Sequence, residues 1–172
     1  MLAAHKRLEA RIGRFDDRKI ADAWVALAAK EPTTIIITKK GLHLLVARSI
    51  VHGNRVQYEA HIIQNPIAFL MRKKPRVAWM YCQAPMAGRV QVTNANVYTI
   101  RGKNYQQQGI GTAMYDLIER DVRAAGAEGV EPDWGSMSEE AKAFWKKRRP
   151  EQAEKIEELS AMYPHTASGL WD

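Results

Sequence analysis

A single cysteine, Cys82, stands in the whole chain of 172 residues. It has no intrachain partner for a disulfide, which points to a reducing, cytoplasmic setting. Its expected place is that of a small apolar side chain within a strand, not a nucleophile. Long apolar runs are missing too. Nothing approaches the ~20 consecutive apolar residues of a membrane-spanning helix, so no membrane partner is expected. The first residues carry Lys6, Arg7, Glu9 and Arg11 without an apolar stretch, so no secretory signal is read there. Acidic residues are in deficit, 19 against 26 Lys and Arg, leaving a formal net charge of +7. Such a surface favours phosphate-bearing partners. No repeat or low-complexity tract interrupts the chain, and no His, Cys, Asp or Glu pattern reads as a metal site.

What is present reads as a single α+β domain. At 46% hydrophobic and 26% charged residues the composition is that of a globular chain able to bury a core. Residues 1–32 form a helical part, with segments at 2–12 and 17–30 broken near Gly13. In the second, Ile20, Trp24, Leu27 and Ala28 share a face, and Asp16 or Asp17 is placed to cap it. From Thr33 the period changes to that of strands. Residues 33–38 are β-branched throughout, 42–51 and 55–63 make a hairpin about His52-Gly53-Asn54, and 77–83 and 89–100 are further strands. Residues 67–71 are apolar but of undetermined type. A helix of clear spacing follows (Ala113, Met114, Leu117, Ile118, Asp121, Val122), with Asp121 as its one polar intrusion, and closes at Ala124-Ala125-Gly126. Residues 128–135 hold one short strand. Ser136 or Ser138 caps a helix through Arg148, and 151–162 form a last, charged helix after Pro150. The core spans 33–148, with 150–172 an added C-terminal helix and tail.

The stretch Tyr105-Gln106-Gln107-Gln108-Gly109-Ile110-Gly111-Thr112 is the centre of the functional reading. It follows the apolar run 97–100 and opens the clear helix. Two glycines at such a junction leave backbone N–H groups bare at the positive end of a helix, which makes an anion cradle. The pattern Gln-x-x-Gly-x-Gly, at Gln106 to Gly111, resembles the acetyl-coenzyme A motif of the GNAT N-acetyltransferase superfamily. The helix that continues it, and the segment Ser138-Glu139-Glu140-Ala141-Lys142-Ala143-Phe144-Trp145 about thirty residues on, strengthen the likeness over residues 92–148.

That resemblance implies a central, mostly antiparallel sheet with flanking helices. It implies an acyltransferase moving an acetyl group from acetyl-coenzyme A, as co-substrate, to an amine on a small molecule, a peptide or protein, or an aminoacylated RNA. Main-chain amides of Gln107, Gln108, Gly109, Ile110, Gly111 and Thr112 would hold the pyrophosphate, with Gln106 opening the motif. Main-chain groups about Thr99, Ile100 and Arg101 would pair with the pantetheine arm. Ser138 stands where the family has an asparagine, and Lys142, Lys146 and Lys147 lie toward the adenosine phosphates. The chain departs from the pattern in three places. Ser138 reaches less far than asparagine, Trp145 stands where a proton-donating tyrosine is frequent, and the usual final strand is missing, so the C-terminal part is shortened. Indole does not serve as that acid. Glu59, His61 and His43 are candidates for the base, and Tyr98 and Tyr105 for the acid; none is assigned as catalytic.

Two other readings stand beside this one. The runs Arg72-Lys73-Lys74 and Lys146-Lys147-Arg148-Arg149 suit a nucleic-acid-associated protein. Alternatively, the fold keeps coenzyme A binding and has lost catalysis, as Trp145 suggests. Leu170-Trp171 is an apolar tip that leaves oligomerisation open.

Overall fold

The structure is a computed structural model, and it describes residues 13–63, 76–97, 99–100, 103–105, 108–133 and 137–162. The chain divides into two compact units, Met1–Glu131 and Pro132–Asp172.

The first unit is mixed α+β. Helix α1 (Asp17–Lys30) begins where the sequence places it, with the Asp16 carboxylate accepting from the Lys19 N–H at 3.0 Å. Five strands follow in sequence: β1 (Thr33–Ile37), β2 (His43–Val51), β3 (Arg55–Ile62), β4 (Arg76–Cys82) and β5 (Arg89–Val97). Each pairs antiparallel with the next, and β8 (Gly129–Pro132) lies beside β5, giving the order β1-β2-β3-β4-β5-β8. One row of partners, Thr34, Val46, Ala60, Ala78 and Val97, crosses the five strands. Strand β5 therefore finishes at the same end of the sheet as the turn from β1 to β2.

Alternation decides which face is covered. Leu44, Val46 and Arg48 on β2, and Val56, Tyr58, Ala60 and Ile62 on β3, are buried. Over them lie Ile20, Ala21, Trp24 and Ala28 of α1, and beside α1 the helix α2 (Ile110–Ala124), with its apolar stripe of Ile110, Met114, Leu117, Ile118 and Val122, packs against α1 and β5. The Asp17 carboxylate ties the start of α1 to the β4–β5 turn, accepting from the N–H groups of Ala87 (2.7 Å) and Gly88 (2.8 Å).

One expectation needs correction. The strand read over 89–100 ends at Val97, and Thr99–Ile100 (β6) instead pairs with Lys103–Asn104 (β7) in a separate two-stranded ribbon. Two residues, one of them Gly102, separate these partners in sequence, and that is a hairpin signal. The continuous β-branched and aromatic character of residues 97–100 concealed it. The glycine stretch thus follows a small hairpin, not a strand of the main sheet. The helix expected over 2–12 and the run 67–71 lie outside the described residues.

The second unit holds α3 (Glu139–Arg148), a 3-10 turn (Pro150–Gln152) and α4 (Ala153–Met162). The Ser138 hydroxyl caps α3 by accepting from the Ala141 N–H at 3.2 Å, and Trp145 and Ile156 are buried. Among the described residues no helix is long and apolar enough to cross a membrane.

Candidate functional site

Helix α2 starts at Gly109, whose φ of +78° and ψ of 9° are left-handed. A side chain there would be strained, so this glycine is required by the backbone. It brings no side-chain cap, and the first turn carries no acidic residue. Neither a cap side chain nor an acid in the first turn offsets the positive end of the helix. A Cβ at Gly109 would lie 3.6 Å from Thr38 Cβ and 3.8 Å from the Lys39 nitrogen, so the helix start sits against the β1–β2 turn. That turn is held by Thr38, which is buried. Its N–H donates to the Leu42 carbonyl (2.9 Å), its carbonyl accepts from Gly41 (2.8 Å), and its hydroxyl accepts from Leu42 N–H (3.2 Å). The exposed Lys39 and Lys40 on the same turn add positive charge at this end of the sheet.

Gly111 differs from Gly109. It lies within the first turn with helical backbone, and a Cβ added to it would meet nothing within 4 Å. Glycine in a helix costs about 0.5–1 kcal/mol against alanine. At Gly111 neither an unusual φ nor a close neighbour among the described residues offsets that cost.

Of the other expected site residues, Ile110 is buried as the first core residue of α2, and Gln108 and Thr112 are half-buried beside the glycines. Ile100 is present in β6, where its backbone pairs with Lys103. Arg101, Gln106 and Gln107 lie outside the described residues, as do Tyr98 and Arg72-Lys73-Lys74. Ser138 belongs to the second unit, where its hydroxyl is engaged as the α3 cap. Trp145 packs edge-on against Phe144 (5.7 Å between rings) with the Arg149 guanidinium 5.3 Å above its ring. Lys142 pairs with Glu139 at 2.6 Å and Lys146 pairs with Glu157, so these two lysines of the basic helix already have acidic partners.

The base candidates fall on the other side of the sheet. Glu59 and His61 alternate with the buried residues of β3, so they point away from α2. Glu59 accepts from Arg76 (3.0 Å) and Gln57 (3.1 Å), and His61 Nε2 is 3.8 Å from it. His43, at the start of β2, is exposed. Tyr105 is buried at 4% exposure.

A cluster that the residue patterns did not single out lies under α2. Arg48 Nε donates to Asp121 Oδ2 at 2.6 Å, Nη2 donates to Oδ1 at 3.3 Å, and Nη1 reaches the Glu31 carbonyl at 2.7 Å. The Tyr58 hydroxyl donates to Asp121 Oδ2 (3.1 Å) and accepts from Trp24 Nε1 (2.9 Å), while Arg120 reaches Oδ1 from outside (3.1 Å). Burial alone would lower the Arg48 pKa, but the hydrogen bond and charge of Asp121 outweigh it and raise it. Burial, then the Asp121 charge, push the Tyr58 phenol far above its ordinary range. Burial raises the Cys82 thiol similarly, leaving it an inert core side chain. Each polar atom of the cluster has a partner, and the side chains of Arg48 and Asp121 are 0% and 1% exposed. It is a structural clamp joining α1, β2, β3 and α2.

Compared with known protein families, curated proteins and solved structures, the chain matches none.

Proposed function

We propose that the start of α2 is a cradle for the pyrophosphate of coenzyme A, and that the chain is an acetyl-coenzyme A-dependent N-acyltransferase. The observation that carries the reading is Gly111, whose missing side chain leaves open space over bare helix-end amides. It is joined by the Gln-x-x-Gly-x-Gly pattern at Gln106 to Gly111, by the left-handed cap at Gly109, and by the placement of β8 beside β5 after the intervening helix. In this reading the GNAT-like fold is the frame, and the amides of Gly109, Ile110, Gly111 and Thr112 hold the diphosphate. Lys39 and Lys40 raise the local potential for an anion. Acetyl-coenzyme A supplies the activated thioester; an acceptor amine forms the new N–C bond, the C–S bond breaks, and the amine's proton leaves to a base.

Melting the chain with and without acetyl-coenzyme A tests the cradle. At about 100 times its dissociation constant the ligand adds about 2.7 kcal/mol of stability. No shift at millimolar ligand rejects the reading. Thiol release with a panel of amines then reads the transfer itself. A second reading, coenzyme binding without transfer, is favoured by Trp145, whose ring is packed and offers no acid. A ligand shift without thiol release for any amine selects it.

A further inference from the structure

Alternation gives the sheet a second face, opposite α1, and strands β3, β4 and β5 set aromatic rings in it. On β3 this face carries Arg55, Gln57, Glu59 and His61, in turn with the buried Val56, Tyr58, Ala60 and Ile62. Register places Trp79 between Glu59 and Asn96, and Tyr81 beside Gln57. Trp79 and Tyr81 stand two residues apart on β4 and so share the face, edge against ring with 4.8 Å between centroids. Tyr81 is 39% exposed, Trp79 is half-buried, and Asn96 is exposed next to them. Rings set on an open sheet face are surfaces on which a flat ligand stacks.

Charge narrows the ligand. Residues 33–97, the stretch that forms the meander, hold nine Lys and Arg against one acid, Glu59; the remaining residues hold 17 against 18. The positive balance of the chain therefore belongs to the sheet-forming stretch. The charge of Glu59 is offset by Arg76, which a bulge sets opposite His61 and which donates to Glu59 Oε1 at 3.0 Å. At the Tyr81 end, Arg55 bonds only to neutral acceptors, the His52 carbonyl (2.9 Å) and the Gln83 side chain (3.2 Å), so its charge is not offset.

We propose that this face is a binding platform for single-stranded nucleic acid. Bases stack on Tyr81 and Trp79, and the Arg55 guanidinium meets a phosphate. The side-chain amides of Gln57 and Asn96 offer donors and acceptors to base edges. A duplex keeps its base faces inside its own stack, so it gains the phosphate contacts alone. An acidic peptide satisfies the charge but leaves the rings unused. The platform uses none of the amides of the proposed cradle and stands apart from the acyltransferase reading.

Fluorescence anisotropy of labelled oligo(dT) and oligo(rU), each of about twelve nucleotides, reads the binding to the full chain at low salt without acetyl-coenzyme A. At least one of them should bind at micromolar concentration, and a duplex of the same length about tenfold more weakly. The tighter homopolymer identifies the sugar that is read, and either result supports the platform. Tyr81→Ala should weaken binding about tenfold, the share of one stacked base, while Tyr81→Phe keeps the ring and the affinity. Arg55→Gln should lower the slope of log affinity against log salt by about 0.7, the share of one phosphate on a single strand. Circular dichroism confirms the fold of each variant. No binding at about 100 times the expected concentration overturns the proposal. So do a duplex bound as tightly as the single strands, a Tyr81→Ala variant that binds like the parent, and an unchanged salt slope in Arg55→Gln. None of these outcomes touches the ligand shift that tests the cradle.

Discussion

Helix α2 holds two polar features about ten residues apart, and they are built on opposite terms. Midway along it, Asp121 is fully buried, and its carboxylate is shared among Arg48, Tyr58 and Arg120. At its start, Gly109 and Gly111 leave amides without a side-chain acceptor, and the space over Gly111 is open. A buried charge that lacks a partner is expensive, so the middle of the helix tolerates no vacancy. Donors at a solvent-reaching helix end are cheap to leave unpaired, and they stay available to an anion. The satisfied feature belongs to the fold; the start of the helix is the place proposed for the ligand.

This contrast can be broken at its strongest point. Asp121→Ala leaves the Arg48 guanidinium buried without its partner, and it is expected to cost about 3–5 kcal/mol in urea unfolding. Replacing both members, Arg48→Met with Asp121→Leu, is expected to recover most of that loss. A double replacement as damaging as the single one would give the pair a role beyond mutual neutralisation.

Tyr58→Phe comes next, at about 1–3 kcal/mol, because it strips the Trp24 Nε1–H of its acceptor and Asp121 of a donor. It also sharpens the pH dependence. Tyr58 and Cys82 hold their protons in the fold more tightly than at their ordinary values of 10.0 and 9.0. Their contribution is complete below those values and is lost as pH rises past them, since the unfolded chain then releases protons that the folded chain retains. Stability measured from pH 8 to 11 should fall, and Tyr58→Phe should flatten the upper part of that fall.

Gly109→Ala forces a side chain to φ of +78° and is expected to cost about 1–2 kcal/mol. Gly111→Ala, two residues later, is the smallest effect and has the opposite sign: a gain of about 0.5–1 kcal/mol, because its Cβ enters open space in a helical turn. Two glycines of one motif thus separate by the sign of the same replacement.

Much of this fold was legible in the residues. The bounds of α1, the turn at 52–54 and the Ser138 cap follow from local signals, namely period, turn chemistry and a hydroxyl before two acids. Harder to see was whatever depends on distance across the fold. Asp121 stood out as a polar break in an apolar stripe, yet its meaning required Arg48, 73 residues away, at an inward position of β2. The inward parity of Leu44, Val46 and Arg48 was the available signal. The β6–β7 ribbon was hidden in a run that reads as one strand, although a glycine in the sequence between Ile100 and Lys103 is a turn signal. Of the glycine motif, the turn into the helix at Gly109 was legible, as its left-handed backbone bears out. The placement of Glu59 and His61 on the far face depended on which side of the sheet α2 covers. Neither α2 nor β3 encodes that alone.

The most direct test of the central claim is one substitution read twice, Gly111→Asp. An acid in the first turn complements the helix dipole and removes a helical glycine, so the free protein should gain about 1 kcal/mol. The same carboxylate occupies the place proposed for the diphosphate and repels it. The prediction is a higher Tm without ligand together with loss of the acetyl-coenzyme A shift seen in the parent chain. A variant that melts higher and keeps the full ligand shift contradicts the account, because the anion would then bind elsewhere.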